Sequence, residues 1–204
     1  MTVIKGLYAV SPEADDSEQL LAKVSRVLDN GVAILQYRNK SDNTVRRLRQ
    51  ASLLASLCKS RQVLFLINDD VTLARAVEAD GVHLGKTDGS VADARAVLGK
   101  NAIIGVSCYN DIALAEQAAR DGASYIAFGA VYPSRTKPHA VAAPLSLFAE
   151  AKKLGLPSVA IGGITPDNAA EVVAAGASAI AVIGGLFDAA DPAAAARQMA
   201  ALFD

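Results

Sequence analysis

Cysteine and aromatic residues are scarce in this sequence. It has two cysteines, Cys58 and Cys108, no tryptophan, and only five tyrosines and five phenylalanines among 204 residues. Two cysteines are too few for the disulfide framework of a small secreted domain, so we interpret both as reduced, buried side chains. The chain also lacks a basic leader followed by an apolar stretch, and we therefore expect a cytoplasmic protein.

Charge of one sign and long apolar runs are missing as well. Lys and Arg number 20 against 21 for Asp and Glu, a formal net charge of -1, which gives no general attraction to nucleic acid or to an anionic membrane. Residues 172–187 form the longest uncharged run, but glycines interrupt it and it is shorter than the ~18 apolar residues of a membrane span. We expect small-molecule substrates, no nucleic-acid partner and no membrane partner. The alanine-rich helices would tolerate a homo-oligomer interface without indicating which face forms it.

Short apolar runs rich in β-branched residues alternate with longer segments of helical period. Strands are predicted at residues 6–10, 33–37, 63–67, 81–83, 103–106, 125–128, 158–161 and 179–183. Helices are predicted at residues 17–30, 42–59, 71–78, 91–98, 111–121, 144–154, 166–175 and 192–203. Eight such units predict an α/β fold, a compact (β/α)8 TIM barrel forming a single domain over residues 1–204. An open doubly wound sheet is the alternative, but the segment "VSPEADD" after the first strand lacks the glycine-rich turn typical of that fold.

In a TIM barrel the chemistry lies at the carboxyl ends of the strands, and the second predicted strand ends in "QYRNK". Gln36, Arg38 and Lys40 alternate along the chain, so they point to the same side as the strand ends. Two cations and an amide on one side indicate an anion-binding site, and an exposed polar loop is the alternative.

The third and fourth strands are followed by acids. Asn68 and Asp69 end "FLIND", and Asp88 follows "HLGKT". Two carboxylates from neighbouring loops favour a Mg²⁺ site, and the alternatives are helix capping by Asp69 and a turn role for Asp88. His83, near the end of the fourth strand, is as consistent with a structural histidine as with a catalytic one.

The remaining strand ends suggest phosphate binding. Ser107 could donate to a phosphate or cap the following helix. Ser134, Thr136 and Lys137 lie in the polar loop "GAVYPSRTKPHA", which is a candidate lid. The last two strands lead into "IGGI" and "VIGGL", whose glycines would let backbone N–H groups approach a phosphate, although tight turns would require the same glycines.

These segments together resemble the thiamine phosphate synthase family. The segments that match, in order and spacing over nearly the whole chain, are "LYAV", "QYRNK", "FLIND", "ADGVHLG", "IIGVS", "YIAFGAVYPSRTK", "VAIGGI" and "IAVIGG". The resemblance implies a transferase that joins hydroxymethylpyrimidine diphosphate to hydroxyethylthiazole phosphate, giving thiamine phosphate and diphosphate. It also implies a dissociative reaction, in which the carbon–oxygen bond to the diphosphate breaks first and leaves a cation stabilised by the pyrimidine.

The resemblance also implies a role for each candidate residue. Asp69 and Asp88 would hold Mg²⁺, and Gln36 would contact the pyrimidine edge. The groups implied to bind or lie near the diphosphate, and to act catalytically, are Arg38, Lys40, Asn68, Ser107 and Lys137. The groups implied to hold the thiazole phosphate are Ser134, Thr136 and the backbone of Gly163, Ile183 and Gly184. Tyr8 and His83 are candidates to stack on the pyrimidine.

Several positions depart from the family pattern. Ser134 stands where threonine is common, Pro138 where a second basic residue is common, and Gly184 where serine is frequent. Lys86 replaces a usual glutamine and Asp70 a frequent arginine. Two other functions stay open: a tautomerase of a thiazole carboxylate phosphate, which would use a histidine near the Ser107 position, and a non-catalytic phosphate-binding barrel. Retention of both acids and of the strand-end cations favours the synthase.

Overall fold

Eight parallel strands close into a barrel in this protein, whose computed structural model describes residues 4–133 and 141–204. The strands are β1 (Gly6–Val10), β2 (Val32–Tyr37), β3 (Leu64–Asn68), β4 (Gly81–Leu84), β5 (Ile103–Tyr109), β6 (Tyr125–Gly129), β7 (Ser158–Ile161) and β8 (Ala179–Val182). Each strand pairs with its neighbours in chain order, and β8 pairs with β1. The TIM-barrel prediction is confirmed, and the open-sheet alternative is wrong because the β1–β8 pairing leaves no sheet edge.

Helices follow the strands around the outside of the barrel. They are α1 (Ser17–Leu28), α2 (Thr44–Arg61), α3 (Val71–Ala76), α4 (Val91–Leu98), α5 (Ile112–Arg120), α6 (Ser146–Ala151), α7 (Ala169–Ala174), α8 (Gly184–Phe187) and α9 (Pro192–Ala200), and 3₁₀ turns at Lys152–Leu154 and Ala201–Phe203 continue α6 and α9. Within the described ranges, none of these helices combines the length and hydropathy that a membrane crossing requires.

When the 3₁₀ turns are counted with α6 and α9, three elements differ from the sequence prediction by more than two residues. Strand β5 continues to Tyr109, beyond the predicted end, and its register with β6 shifts between Ser107 and Tyr109. Helix α7 begins at Ala169 instead of at residue 166, because the Asn168 side chain accepts a hydrogen bond from the Thr165 N–H and holds a turn there. The four-residue helix α8 was not predicted, since a glycine pair has low helix propensity.

Short polar side chains start most of the helices that follow the strand ends. The residues whose side chains accept hydrogen bonds from first-turn N–H groups are Asp16, Asn43, Asp70, Ser90, Asp111 and Asp191. Such caps satisfy backbone donors that a helix leaves unpaired. Five of these caps fix where the loops after β1 to β5 end, and so they determine how much chain is available there to form a site.

Apolar side chains fill two separate layers. The larger lies between strands and helices and includes Leu35, Leu54, Ile126 and Phe148. The smaller fills the inside of the barrel, where Tyr8, Ile34, Leu66, Tyr125 and Val159 are among its buried members. Strands that are apolar on both faces are expected for a parallel sheet covered by helices.

Candidate functional site

A cavity of about 910 Å³ lies among the loops at the carboxyl ends of the strands. The candidate residues that line it are Gln36, Arg38, Lys40, Asn68, Asp69, Asp88, Ser107, Gly163, Ile183 and Gly184. The structure therefore brings together ten of the candidate residues, from six strand ends and the loops that follow them. The other three candidates, Ser134, Thr136 and Lys137, lie outside the described residues.

The end of β3 assigns a separate role to each of three consecutive residues. Asn68 is the last strand residue, and its side chain oxygen accepts a hydrogen bond from Gln36 at 2.6 Å. Asp69 adopts a left-handed backbone with φ of 65°, which aspartate tolerates better than most side chains. Asp70 caps α3 by accepting from the Leu73 N–H. The capping alternative proposed for Asp69 is therefore wrong, and Asp69 is left to line the cavity.

Asp69 and Asp88 line the same cavity, and Asp69 is near enough to affect the pKa of Asp88. The pKa of Asp88 is raised, first by burial and then by its hydrogen bond with Asp69 and the negative charge of that neighbour. Asp88 also accepts a hydrogen bond from the Gly85 N–H at 2.9 Å, so its predicted turn role is present alongside its place in the pair. Lys40 forms an ion pair with Asp69. Two carboxylates in this position attract a cation, and here the Lys40 ammonium partly supplies it.

The pair fits the chemistry that Mg²⁺ requires. Among the residues that the structure describes, no cluster of three or more His, Cys, Asp or Glu side chains could hold a metal ion. Two hard oxygen donors with remaining positions for water and phosphate are the usual protein contribution to a Mg²⁺ site. Asp69 and Asp88 could therefore hold Mg²⁺ as part of a ligand set completed by a phosphorylated substrate.

The cations at the end of β2 face the same cavity. Arg38 donates to the Glu13 carboxylate at 2.7 Å, and its backbone N–H donates to the Ser11 hydroxyl at 3.0 Å. Lys40, which is exposed, reaches Asp69 from the same loop. Sequence reasoning missed Glu13, whose position after the first strand was its one available signal.

Glycines form the opposite wall, where the backbone of two loops passes close to other chain segments. Gly163 has φ of 65°, and a Cβ there would lie 2.5 Å from the Pro133 carbonyl oxygen. A Cβ on Gly185 would lie 2.0 Å from the Ile164 carbonyl oxygen. These positions need glycine for close approach, and at Gly163 also for the left-handed backbone. The tight-turn explanation therefore holds for the loop after β7, whereas Gly184 and Gly185 form the first turn of α8.

A row of hydrogen-bonded side chains crosses the barrel beneath the cavity. Tyr8 donates to the Gln36 side chain oxygen at 2.6 Å, and Gln36 donates in turn to Asn68. The Tyr8 and Tyr125 hydroxyls lie 2.9 Å apart. Burial raises the pKa of both tyrosines, so both stay protonated.

The same row continues through His83 to Ser107. His83 Nδ1 lies 2.9 Å from the Tyr125 hydroxyl, and Nε2 lies 2.8 Å from Ser107 Oγ. The His83 ring also stacks on Tyr125, with centroids 5.6 Å apart. Ser107 does not cap the next helix, because that role belongs to Asp111. Sequence reasoning missed Tyr125, although a tyrosine at the start of a buried strand needs a hydroxyl partner.

The sequence is similar to those of known proteins over nearly its whole length. The family described as "Thiamine monophosphate synthase" matches residues 7–186. The chain belongs to the thiamine monophosphate synthase family. It is 58% identical to the thiamine-phosphate synthase of Chromobacterium violaceum, with 98% of this chain and 97% of the relative covered. The thiamine-phosphate synthase of Methylobacillus flagellatus is 55% identical over 98% of this chain and 96% of its own length. Membership confirms the resemblance and makes the chain an enzyme, a transferase.

Solved structures agree with this family. A thiamine phosphate pyrophosphorylase from Pyrococcus furiosus superposes with a TM-score of 0.86 at 31% identity, covering 97% of this chain and 95% of its own. A 3-hexulose-6-phosphate synthase from Salmonella typhimurium reaches a TM-score of 0.73 at 17% identity, with 97% of this chain and 98% of its own covered. At 17% identity the second match shows a shared barrel fold and nothing about the reaction.

Proposed function

We propose that this chain condenses hydroxymethylpyrimidine diphosphate with hydroxyethylthiazole phosphate to form thiamine phosphate and diphosphate. The carbon–oxygen bond between the pyrimidine methylene and the diphosphate breaks, and the bonding electrons leave with the diphosphate. The thiazole nitrogen lone pair then forms a bond to the methylene carbon, and the product carries the positive charge as a thiazolium. No proton transfer to a nucleophilic side chain is required.

The observation that carries this proposal is that two acids, Asp69 and Asp88, line one cavity together with the cations Lys40 and Arg38. A departing diphosphate develops negative charge, and fixed cations at the site of that charge lower the barrier. The ion pair of Lys40 with Asp69 keeps the ammonium at this rim before any substrate binds. Mg²⁺ bound to the two acids would neutralise charge on the leaving diphosphate.

The rest of the cavity suits the two other parts of the substrates. The glycines after β7 and at the start of α8 bring backbone close to the cavity, where N–H groups of Gly163, Ile183 and Gly184 would hold the thiazole phosphate. Ser134, Thr136 and Lys137 are proposed to complete phosphate binding from the loop after β6. Gln36 is proposed to present its amide to the pyrimidine edge, and Asn68 and Ser107 to approach the diphosphate.

The test is formation of thiamine phosphate by the purified protein from the two proposed substrates, with Mg²⁺ and then with a chelator. We expect thiamine phosphate to form with Mg²⁺ but not with the chelator, and its formation to recover when Mg²⁺ is added in excess of the chelator. Asp69→Asn should abolish Mg²⁺-dependent turnover while the protein keeps its circular dichroism spectrum. Asp121→Asn, which changes an exposed acid at the end of α5, is the matched control and should retain full activity.

Three outcomes would contradict the proposal. Equal turnover with chelator and with Mg²⁺ would show that the reaction does not need the metal. Full activity of Asp69→Asn would show that Asp69 is not a required ligand. Absence of product from a folded protein would show that the chain does not catalyse the proposed condensation, and it would favour the tautomerase or the phosphate-binding barrel.

A further inference from the structure

The hydrogen-bonded row beneath the cavity has a determinable donor direction. Tyr8 donates its hydroxyl hydrogen to Gln36, and a phenol has one hydrogen. The 2.9 Å contact between Tyr8 and Tyr125 must therefore be a donation from Tyr125. The direction at one end of the row thus fixes the direction at the next member.

Counting the hydrogens in the same way fixes the directions at the Ser107 end of the row. Because the Tyr125 hydrogen is used on Tyr8, the Tyr125 oxygen must accept from His83, and Nδ1 of that ring must carry a hydrogen. A neutral imidazole has one N–H, so Nε2 has a lone pair and accepts from the Ser107 hydroxyl. At the opposite end, the Asn68 oxygen accepts from Gln36, and the Asn68 amino group is the end not used within the row.

We propose that Tyr8 and Tyr125 are positioning residues that impose one donor direction on this row, hold His83 as its Nδ1–H tautomer and turn the Asn68 amino group toward the cavity. The row joins side chains from six different strands, so the direction is transmitted across the whole barrel. Tyr8 is 1% exposed and Tyr125 is fully buried, so water does not replace the hydrogen-bond partners of the two hydroxyls.

The reverse direction would suit the site less well. Exchanging oxygen and nitrogen in both amides would reverse every hydrogen bond, place the Asn68 oxygen toward the cavity and move the His83 hydrogen to Nε2. An amide oxygen directed at a diphosphate would repel it, whereas an amino group donates to it. This part of the argument rests on the proposed function, and the tautomer of His83 does not.

The test measures the tautomer of His83 by ¹⁵N NMR in the protein without substrates. The chain has two histidines, so a His139→Gln background leaves one imidazole, and long-range proton–nitrogen correlations report which ring nitrogen is protonated. The spectra are recorded at about pH 8, above the ordinary histidine pKa of ~6.5, to observe the neutral ring. We expect the Nδ1–H form to dominate.

Tyr8→Phe in the same background tests the transmission. With its acceptor gone, the Tyr125 hydroxyl is expected to donate to His83 Nδ1, so the Nδ1–H form should change from the major to the minor species. Tyr37→Phe is the matched control, because Tyr37 is equally buried but donates to Gln50, outside the row. That control should keep the Nδ1–H spectrum.

The outcomes are separable from those of the proposed function. A dominant Nε2–H form in the parent, or an unchanged tautomer in folded Tyr8→Phe, would overturn the inference even if thiamine phosphate is formed. Failure of the condensation assay would leave the NMR result standing. As a second readout, kcat/KM of Tyr8→Phe is expected to fall about tenfold, and that of Tyr37→Phe less than about twofold, since one hydrogen bond is worth roughly one factor of ten.

Discussion

The layer between strands and helices and the interior of the barrel are both buried, yet they differ in chemistry. The outer layer is almost entirely apolar, with Gln50 as a buried polar member that is hydrogen-bonded to Tyr37 and Asn39. The interior contains Tyr8 and Gln36 within a directed row of hydrogen bonds. Apolar side chains can be exchanged for others of similar volume at low cost, whereas each side chain in a hydrogen-bonded row needs its particular donor or acceptor partner. The outer layer therefore maintains the fold and the interior orients the site.

The sharpest way to break the outer layer is a cavity in α2. Leu54→Ala removes a side chain that is 1% exposed and should lower the free energy of unfolding by about 3 kcal/mol. Leu48→Ala, in the same helix at 46% exposure, should cost less than about 0.5 kcal/mol. Urea unfolding measures both, and activity per folded molecule should be unchanged in both. A selective loss of activity in Leu54→Ala would contradict the division between the two regions.

A substitution at the cavity rim is expected to have the opposite effect, a loss of activity without a loss of stability. Asp88→Asn keeps an oxygen that can accept from the Gly85 N–H but removes one charge of the Asp69–Asp88 pair. Turnover should fall about a hundredfold or more, whereas the unfolding free energy in chelator should rise slightly because the repulsion is relieved. Steady-state kinetics and urea unfolding measure the two effects. A large loss of stability would show that Asp88 is a structural residue.

The pH dependence of that stability gain has a definite sign. Because the folded pKa of Asp88 is raised, ionising it costs stability: the cost is absent below the unfolded pKa of about 3.9 and grows as pH rises through the folded pKa. Asp88→Asn has no such cost. The difference in unfolding free energy between the variant and the parent should therefore be near zero at about pH 4 and largest near neutrality, and the reverse trend would contradict the assigned shift.

Two glycines with positive φ distinguish the cost of a steric clash from the cost of a left-handed backbone. Gly163 and Gly155 both have positive φ, but a Cβ on Gly163 meets the chain at 2.5 Å and a Cβ on Gly155 meets nothing within 4 Å. Gly155→Ala should cost only the left-handed strain of about 1 kcal/mol. Gly163→Ala should cost more and raise the KM for the thiazole phosphate about tenfold. Equal effects in the two variants would remove the assigned role of the β7 loop.

The smallest effect is expected at the two thiols. Burial raises the pKa of Cys58 and of Cys108 to about 12, so both stay protonated at about pH 8, and only the thiolate reacts. Alkylation by iodoacetamide should be slow in the native protein and rapid in urea, as measured by mass spectrometry. Rapid labelling of the native protein would indicate that the outer layer opens readily.

The elements of the fold could be predicted more closely than the site. Strands of β-branched residues and helices of regular period follow from local sequence, and β1, β7 and α4 match the prediction in full. Helix α8 and the start of α7 were missed because a glycine pair and an asparagine side chain act through their tertiary setting. At the site, position after a strand indicated Asp69 and Asp88, and the capping role considered as the alternative for Asp69 belongs to Asp70.

The sequence by itself determined the order of strands and helices, the balance of charge and the residues at each strand end, because these depend on periodicity and on neighbours along the chain. The tertiary structure alone decided which side chains meet. Ser107 reaches Asn68 through four intervening side chains contributed by four other strands, and Tyr8 and Tyr125, 117 residues apart, share a hydrogen bond. Barrel closure creates these contacts, since it places all strand ends around one axis whatever their distance in sequence.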